Sequence, residues 1–251
     1  MQTESGLSVQ FCVSRSVRDS ARLLDAVHGP GVGDTVMAAP PSRPYIDEVG
    51  ADPGRLRIGI LDADPRGRPL HPDCVEAVRS AAAQLEALGH DVSHGYPAAL
   101  SDASFTPRFM AIWGANMAIG IGAYGEALGR DLTEDEVEIV NWAQARFADQ
   151  ITSVEYAKGL AATAEFRRAV QQWWSDGWDL LLSPTLAEPP VRIGEHDPLP
   201  DDPMAGMKRA AEWVSFTPPF NVSGQPAINV PLHWNDAGLP VGIQLVGAYG
   251  R

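Results

Sequence analysis

Apolar residues recur at helical spacing near the start of the chain. Ser16-Val17-Arg18-Asp19 has the form of a capping box, with Ser16 as the N-cap and Asp19 able to reach back to it. Gly29-Pro30 is typical of a helix end, and the proline-rich stretch 31–53 behind it is predicted to be a linker-like surface loop. The apolar positions of this predicted helix are Val17, Ala21, Leu24 and Val27.

A strand, a helix and a second strand come next. The apolar run from Leu56 to Leu61 indicates a buried strand, and Pro72 suits the first position of a helix that ends at Gly89. A second strand is predicted from Asp91 to Tyr96. Strand, helix and strand over this length form a βαβ unit, which implies parallel pairing with a right-handed crossover. The apolar face of the helix consists of Val75, Val78, Ala82, Leu85 and Leu88.

The middle of the chain is predicted to be helical. A first helix is expected from Ala103 to Tyr124, although its glycines weaken the pattern. Thr133-Glu134-Asp135-Glu136 has the form of a capping box that leads into a second helix, and Thr152-Ser153-Val154-Glu155 opens a third, which ends near Trp174.

Strand patterns return in the last third of the chain. Trp178 to Leu182 is a short buried strand, and 188–203, dense in proline and acidic residues, is predicted to be a second linker-like loop. Pro226 to Leu232 and Val241 to Val246 are the final strands, with a turn at Asp236-Ala237-Gly238. The alternation of strands and helices predicts an α/β fold in which helices cover a mixed sheet.

The net charge of the chain excludes some classes of binding partner. A formal net charge of -13 argues against nucleic acid, because phosphate binding needs clustered lysine and arginine. The same charge is unsuited to an anionic membrane surface, and no apolar run reaches the ~18 residues needed to span a bilayer. Two distant cysteines, Cys12 and Cys74, and the lack of signal-peptide character in residues 1–6 favour a cytoplasmic protein.

Three blocks of sequence carry a resemblance to a known family. They are Leu7 to Pro30, Trp178 to Thr185 (WDLLLSPT) and the closing segment, which joins Pro218 to Pro231 (PPFNVSGQPAINVP) with Gly238 to Gly247 (GLPVGIQLVG). Together they resemble, in the right order, the amidase signature family. The resemblance implies an α/β fold and hydrolysis of small-molecule carboxylic amides by a Ser-Ser-Lys triad through an acyl-serine, with no metal or organic cofactor.

The catalytic segment of that family has no counterpart here. Lys158 and Lys208 are the only lysines, and neither has a Gly-Gly-Ser-Ser-like partner, so no catalytic residue is assigned. We expect residues 1–251 to form a single incomplete amidase domain, the C-terminal part of a truncated protein, inactive alone. The alternatives are a non-catalytic binding or assembly subunit and one half of a split amidase or amidotransferase. Association as a homodimer or with the missing N-terminal half is expected.

Two short segments supply candidate substrate-pocket residues. The resemblance places Trp113 and Asn116 in a helix that walls the substrate site and Asn221, Ser223, Gly224 and Gln225 in a loop beside it. For the helix residues, core packing at helical spacing is the favoured alternative, because aromatic residues repeated along a helix usually face the core. In the loop, a purely structural alternative is that Gly224 provides an unusual backbone angle and Pro226 fixes the start of a strand.

Other apparent motifs are rejected because the predicted secondary structure around them does not suit the function that the motif would imply. His90 and His94 have the spacing of a helical zinc pair but follow the end of a helix, so no metal site is predicted. The glycines of 120–125 match a phosphate loop by letter but lie in a predicted helix. A distinct hydrolase using Ser183 or Cys12 has little support, because Ser183 lacks a nucleophile elbow and is expected just past a strand end.

Overall fold

The computed structural model describes residues 7, 9–34, 37–199 and 201–251. Residues 1–6, for which no signal peptide is predicted, lie outside the described residues, as do positions within both predicted linker-like loops. The helices are α1 (Val17–Val27), α2 (Pro72–Ala87), α3 (Phe105–Leu128), α4 (Ile139–Ala148), α5 (Ser153–Ser175), α6 (Ala205–Trp213) and α7 (Pro218–Ser223). The strands are β1 (Arg57–Ile60), β2 (Asp91–His94), β3 (Leu180–Pro184), β4 (Ala227–Trp234) and β5 (Pro240–Gly247).

The strands form one open mixed sheet in the order β2-β1-β3-β5-β4. β1 pairs in parallel with β2 and with β3, as the predicted βαβ unit requires. β5 lies antiparallel between β3 and β4. Asn235 shapes the β4–β5 turn, because its side chain accepts backbone N–H groups from Ala237 and Leu239 at 3.1 and 2.9 Å. The predicted α/β fold with a mixed sheet is confirmed.

Each face of the sheet has its own core. One face packs apolar side chains of α2 against the sheet, and the other packs α3, α5 and α7 against it. Alternation along β3 divides its residues, with Leu182 on the α2 side and Leu181 on the other. The first cluster includes Ile58, Val78, Ala81, Leu182 and Ile243, and the second includes Ile112, Phe166, Val170, Trp173, Trp174, Leu181 and Val246.

The predicted N-terminal caps of α1 and α5 are confirmed, whereas the helix predicted from Ala103 to Tyr124 begins at Phe105 and continues to Leu128. Ser16 caps α1 through the Asp19 backbone N–H at 3.1 Å, and Thr152 and Glu155 form the predicted reciprocal capping box of α5. Thr133 and Glu136 also form their capping box. That box opens only a 3₁₀ turn, Glu134–Glu136, and α4 begins after it at Ile139, so the prediction of a helix directly behind the box is wrong.

The sequence patterns left two helices out. α6 and α7 are short, and α7 begins with prolines 218 and 219, a residue type that suits the first positions of a helix. β3 continues through Ser183 and Pro184, beyond its predicted end at Leu182, because Ser183 and Pro184 still pair with β5. Ser183 is therefore a buried strand residue and does not lie past a strand end.

β4 and α1 are among the elements that keep large apolar side chains exposed. β4 is an edge strand, and its Leu232 and Trp234 are 48% and 64% exposed. On α1, Val17 and Val27 are exposed in the same way. Among the described helices, none combines the length and apolar character that crossing a membrane would require.

Candidate functional site

A cavity of about 430 Å³ opens between α3, α6, α7 and the segment that follows β1. Its wall is mainly apolar, with a small number of polar groups, which is the usual composition of a small-molecule site. The lining residues are Leu7, Arg66, Arg68, Phe105, Thr106, Phe109, Met110, Trp113, Met207, Ala210, Ala211, Val214, Ser215, Thr217, Pro218, Pro219, Asn221 and Val222.

Aromatic side chains of α3 form one side of the cavity. Phe105, Phe109 and Trp113 follow each other at four-residue spacing, with ring centroids 6.1 and 5.6 Å apart. Phe105 also stacks on Phe166 of α5, at a centroid distance of 4.3 Å, which ties the aromatic wall to the core. The Trp113 Nε1 donates to the side-chain oxygen of buried Gln144 on α4 at 2.5 Å. This bond fixes the indole in one orientation.

Two arginines and a buried carboxylate stand at the C-terminal end of β1. Asp64, whose side chain is 1% exposed, pairs with Arg68 at 2.8 Å and accepts the Arg66 backbone N–H at 2.7 Å. Burial alone would raise the Asp64 pKa, but the hydrogen bonds from Arg68 and from the Arg66 backbone outweigh it, and the pKa lies below its ordinary value. Arg68 also donates to the Ala211 carbonyl at 2.8 Å, which joins this segment to α6.

α6 is held in place by a second charged group. Arg209 forms paired hydrogen bonds to both oxygens of Glu188, each at 2.8 Å, and contacts Glu195 at 2.8 Å. The guanidinium lowers the pKa of Glu188, and its own pKa is raised by Glu188 and Glu195. These bonds fasten the 188–203 loop to the outer side of α6, so the helix wall of the cavity is braced from behind.

α7 forms the base of the cavity. Asn221 lines it and donates to the Leu7 carbonyl at 3.3 Å. Ser223 and Gln225 are buried behind it, with Ser223 donating to the Pro219 carbonyl at 2.8 Å. The Ser223 hydroxyl also lies within hydrogen-bond distance of the side-chain oxygen of Gln225. Gly224 ends α7 with φ of 79°.

Of the six candidate pocket residues, two line the cavity and four do not. Trp113 and Asn221 line the same cavity. Asn116 lies half-buried one turn further along α3 and is not among the lining residues. The other three candidates, Ser223, Gly224 and Gln225, form the helix end and hydrogen-bonded pair behind the cavity.

The sequence patterns did not single out Arg66, Arg68 or the residues of α6. A usable signal was present for the arginines, because the segment Asp64-Pro65-Arg66-Gly67-Arg68 follows a parallel strand, where open α/β sheets bind ligands. Nothing comparable marks Met207 or Val214, which reach the cavity only because α6 folds back over it.

The described residues show no assembled nucleophile and base. Lys158 is exposed on α5, and Lys208 is 68% exposed and pairs with Asp202 at 2.7 Å. The Ser183 hydroxyl is buried and bonds to the Pro184 carbonyl and Gln244. Burial raises the pKa of the Cys74 thiol to about 12, which keeps it protonated and unreactive.

No cluster of three metal-binding side chains occurs within the part of the chain that the structure describes. His90, one of the two histidines at helical spacing, accepts the Leu56 backbone N–H at 3.3 Å. His94 lies on β2 and contacts Asp62 at 3.3 Å. The two residues are thus occupied separately. Gly120 and Gly125 lie inside α3, which confirms that the glycine pattern there is not a phosphate loop.

Comparison with known proteins gives one consistent match. The family model described as Amidase matches residues 1–251. The chain is 42% identical to a 6-aminohexanoate-cyclic-dimer hydrolase of Paenarthrobacter ureafaciens, with 98% of this chain and 51% of that protein aligned. It is 32% identical to the putative amidase AmiA2 of Mycobacterium tuberculosis, with 97% and 48% aligned. The chain therefore spans about half the length of the curated relatives it matches.

Solved structures agree with the sequence matches. A 6-aminohexanoate cyclic dimer hydrolase complexed with substrate superposes with a TM-score of 0.89 at 43% identity, covering 95% of this chain and 51% of that one. A bacterial aryl acylamidase of the amidase signature family shares the fold, with a TM-score of 0.73 at 20% identity over 94% of this chain and 49% of that one.

Proposed function

This chain belongs to the Amidase family, and from that membership we propose that it supplies the sheet and one pocket wall for the hydrolysis of a small-molecule carboxylic amide. The reaction proposed is attack by a serine on the amide carbonyl, release of the amine and hydrolysis of the acyl-serine by water. In this proposal the serines, the lysine and the oxyanion-binding backbone come from a second segment.

The observation that carries the proposal is the cavity of about 430 Å³ between α3, α6 and α7. Its apolar lining and the oriented Trp113 indole suit the body of an organic amide. Neither lysine of the sequence reaches the cavity, since Lys158 lies exposed on α5 and Lys208 is engaged by Asp202. The proposal therefore assigns substrate binding to the residues that line the cavity and assigns bond cleavage to residues of the second segment.

Complementation tests this division directly. The 251-residue chain would be purified alone and together with the half of the Paenarthrobacter hydrolase to which it does not align. We expect no turnover of 6-aminohexanoate cyclic dimer or of linear amides by the chain alone, and turnover by the pair. A partner half whose serines in the Gly/Ser-rich segment are replaced by alanine is the control. Turnover by the chain alone that persists through stringent purification would refute the proposal.

A second candidate function is that of a non-catalytic assembly subunit. It is favoured by the exposed apolar side chains of β4 and α1, including Trp234 and Val27. Sedimentation velocity of the chain, with and without the complementary half, distinguishes the two. A stable complex that lacks amidase activity would favour the assembly role, as would a homodimer that excludes the other half.

A further inference from the structure

The charge of the cavity is opposite to the charge of the chain. The sequence has a formal net charge of -13, yet the charged residues that line the cavity are Arg66 and Arg68, and no lining residue within the described ranges is acidic. A region of positive potential inside an acidic protein attracts anionic ligands and repels cationic ones.

Arg68 is already neutralised. Its guanidinium pairs with Asp64 at 2.8 Å and also donates to the Ala211 carbonyl at 2.8 Å. The Asp64 carboxylate, whose side chain is 1% exposed, lies in direct contact with this guanidinium and offsets its positive charge at the cavity. Arg68 therefore acts as a brace between the β1 end and α6.

Arg66 is not neutralised. The one side-chain hydrogen bond recorded for it within the described chain goes to the Thr106 hydroxyl at 3.2 Å, and it takes part in none of the ion pairs of that part of the chain. A guanidinium has five N–H donors, so most of those of Arg66 are open to solvent or to a ligand. Burial lowers the Arg66 pKa and repulsion by Arg68 adds to this, while the attraction of nearby Asp64 offsets them only in part. Arg66 remains exposed and lies at the edge of the cavity that it lines.

The rest of the lining determines what accompanies the negative charge. Thr106, which holds the Arg66 guanidinium, lies on α3 beside Phe105, and the α3 aromatic rings extend from there to Trp113. A ligand that lies inside the cavity and reaches Arg66 also has these rings along one side of it. A carboxylate suits the planar guanidinium, because it accepts two parallel hydrogen bonds from it, and a carboxylate is the anionic group that an apolar chain commonly carries at its end.

We propose that Arg66 is a specificity residue that binds a carboxylate at the end of an apolar chain, so that the preferred ligand is an amide bearing a terminal carboxylate. That the carboxylate-bearing ligand is an amide rests on the proposed function. Recognition of the carboxylate itself rests on the cavity alone, and it is measured by binding, without turnover.

A matched pair of ligands tests the inference. N-acetyl-6-aminohexanoate and N-hexylacetamide share an amide and a chain of the same length, and they differ in the terminal carboxylate. Isothermal titration calorimetry and ligand-observed NMR on the 251-residue chain should show about tenfold tighter binding of the carboxylate ligand or more, as a charged hydrogen bond implies. Arg66→Gln should abolish this preference, and Arg66→Lys should retain part of it.

The control variant is Arg79→Gln. Arg79 is an exposed arginine that pairs with Asp62 at 3.0 Å and does not line the cavity, so the preference should persist. Melting temperatures of all variants check that the fold is retained. Three results would overturn the inference. The parent chain could bind the two ligands with equal affinity, or bind neither of them. The preference could also be lost equally in Arg66→Gln and in Arg79→Gln. If the preference is found but complementation yields no amidase activity, the proposed function fails and carboxylate recognition stands.

Discussion

Gly206 on α6 packs directly against the backbone carbonyl oxygen of His196, with no space for a side chain between them. The Gly206→Ala substitution places a methyl group inside the contact radius of that oxygen, so α6 or the 188–203 loop must move. We expect a loss of about 1–3 kcal/mol in the free energy of unfolding, which is measured by urea denaturation.

The matched control is Gly120→Ala in α3, where an added Cβ has no neighbour within 4 Å. Alanine is the better helix former by about 1 kcal/mol, so this variant should be slightly more stable than the parent chain. Equal stability of the two variants would show that the contact between α6 and the loop is not tight in solution.

The bond between Trp113 and Gln144 gives a second prediction. Gln144→Leu keeps the volume of a side chain that is 3% exposed but removes the acceptor for the indole N–H. We expect a destabilisation of about 1–3 kcal/mol, because a donor in the α3–α4 contact is left unpaired. Urea denaturation measures this effect, and tryptophan fluorescence reports the change around the indole.

A double-mutant cycle identifies the cause. Trp113→Phe combined with Gln144→Leu removes donor and acceptor together, so the pair of changes should cost less than the sum of the single changes. Additive effects would mean that the hydrogen bond contributes nothing and that Gln144 acts through packing alone.

The fold was largely predictable because its elements have strong local signals. The Ser16 and Thr152 caps, the alternation along the strands and the Pro72 start of α2 each depend on residues close in sequence. α6 and α7 were missed for the opposite reason. α6 carries Gly206 inside it and has no N-cap side-chain hydrogen bond, so its position is set by contacts with the 188–203 loop.

The candidate site was predictable only in part. Trp113 and Asn221, proposed from the family resemblance, line one cavity, although they lie on α3 and α7, far apart in sequence. The role proposed for Arg66 was not anticipated, because it depends on Arg66 forming no ion pair with any residue that the structure describes. A sequence shows Asp64 beside two arginines, but only the fold shows that Arg68 takes the carboxylate.

The third prediction concerns the brace behind α6. Arg209→Lys keeps the charge but loses the paired hydrogen bonds to Glu188 and the simultaneous contact with Glu195, because lysine lacks the planar fork. We expect a destabilisation of about 1–2 kcal/mol and faster proteolytic cleavage within the 188–203 loop. Limited proteolysis followed by mass spectrometry locates the cuts.

Lys208→Ala is the comparison for that variant. Lys208 lies on the same helix and pairs with Asp202 of the same loop, but its side chain is 68% exposed. An exposed single pair contributes about 0–1 kcal/mol, so its removal should leave the cleavage rate nearly unchanged. If the two variants are cleaved equally fast, the Arg209 contacts do not hold the loop.

The last prediction uses the pH dependence of the Asp64–Arg68 pair. Asp64→Asn should cost about 2 kcal/mol at neutral pH, because it leaves Arg68 partly buried without a counter-charge. The Asp64 pKa is lowered in the folded chain, so its stabilising contribution is complete above the unfolded pKa of about 3.9 and is lost as pH falls through the folded value. The stability difference between parent and variant should therefore stay constant from pH 7 to about 5 and narrow below about pH 4.

Asp149→Asn, in an exposed pair with Arg146, should show a difference of at most about 1 kcal/mol at neutral pH. A difference for Asp64→Asn that is already small at pH 7, or that widens in acid, would mean that the carboxylate does not stabilise the end of β1.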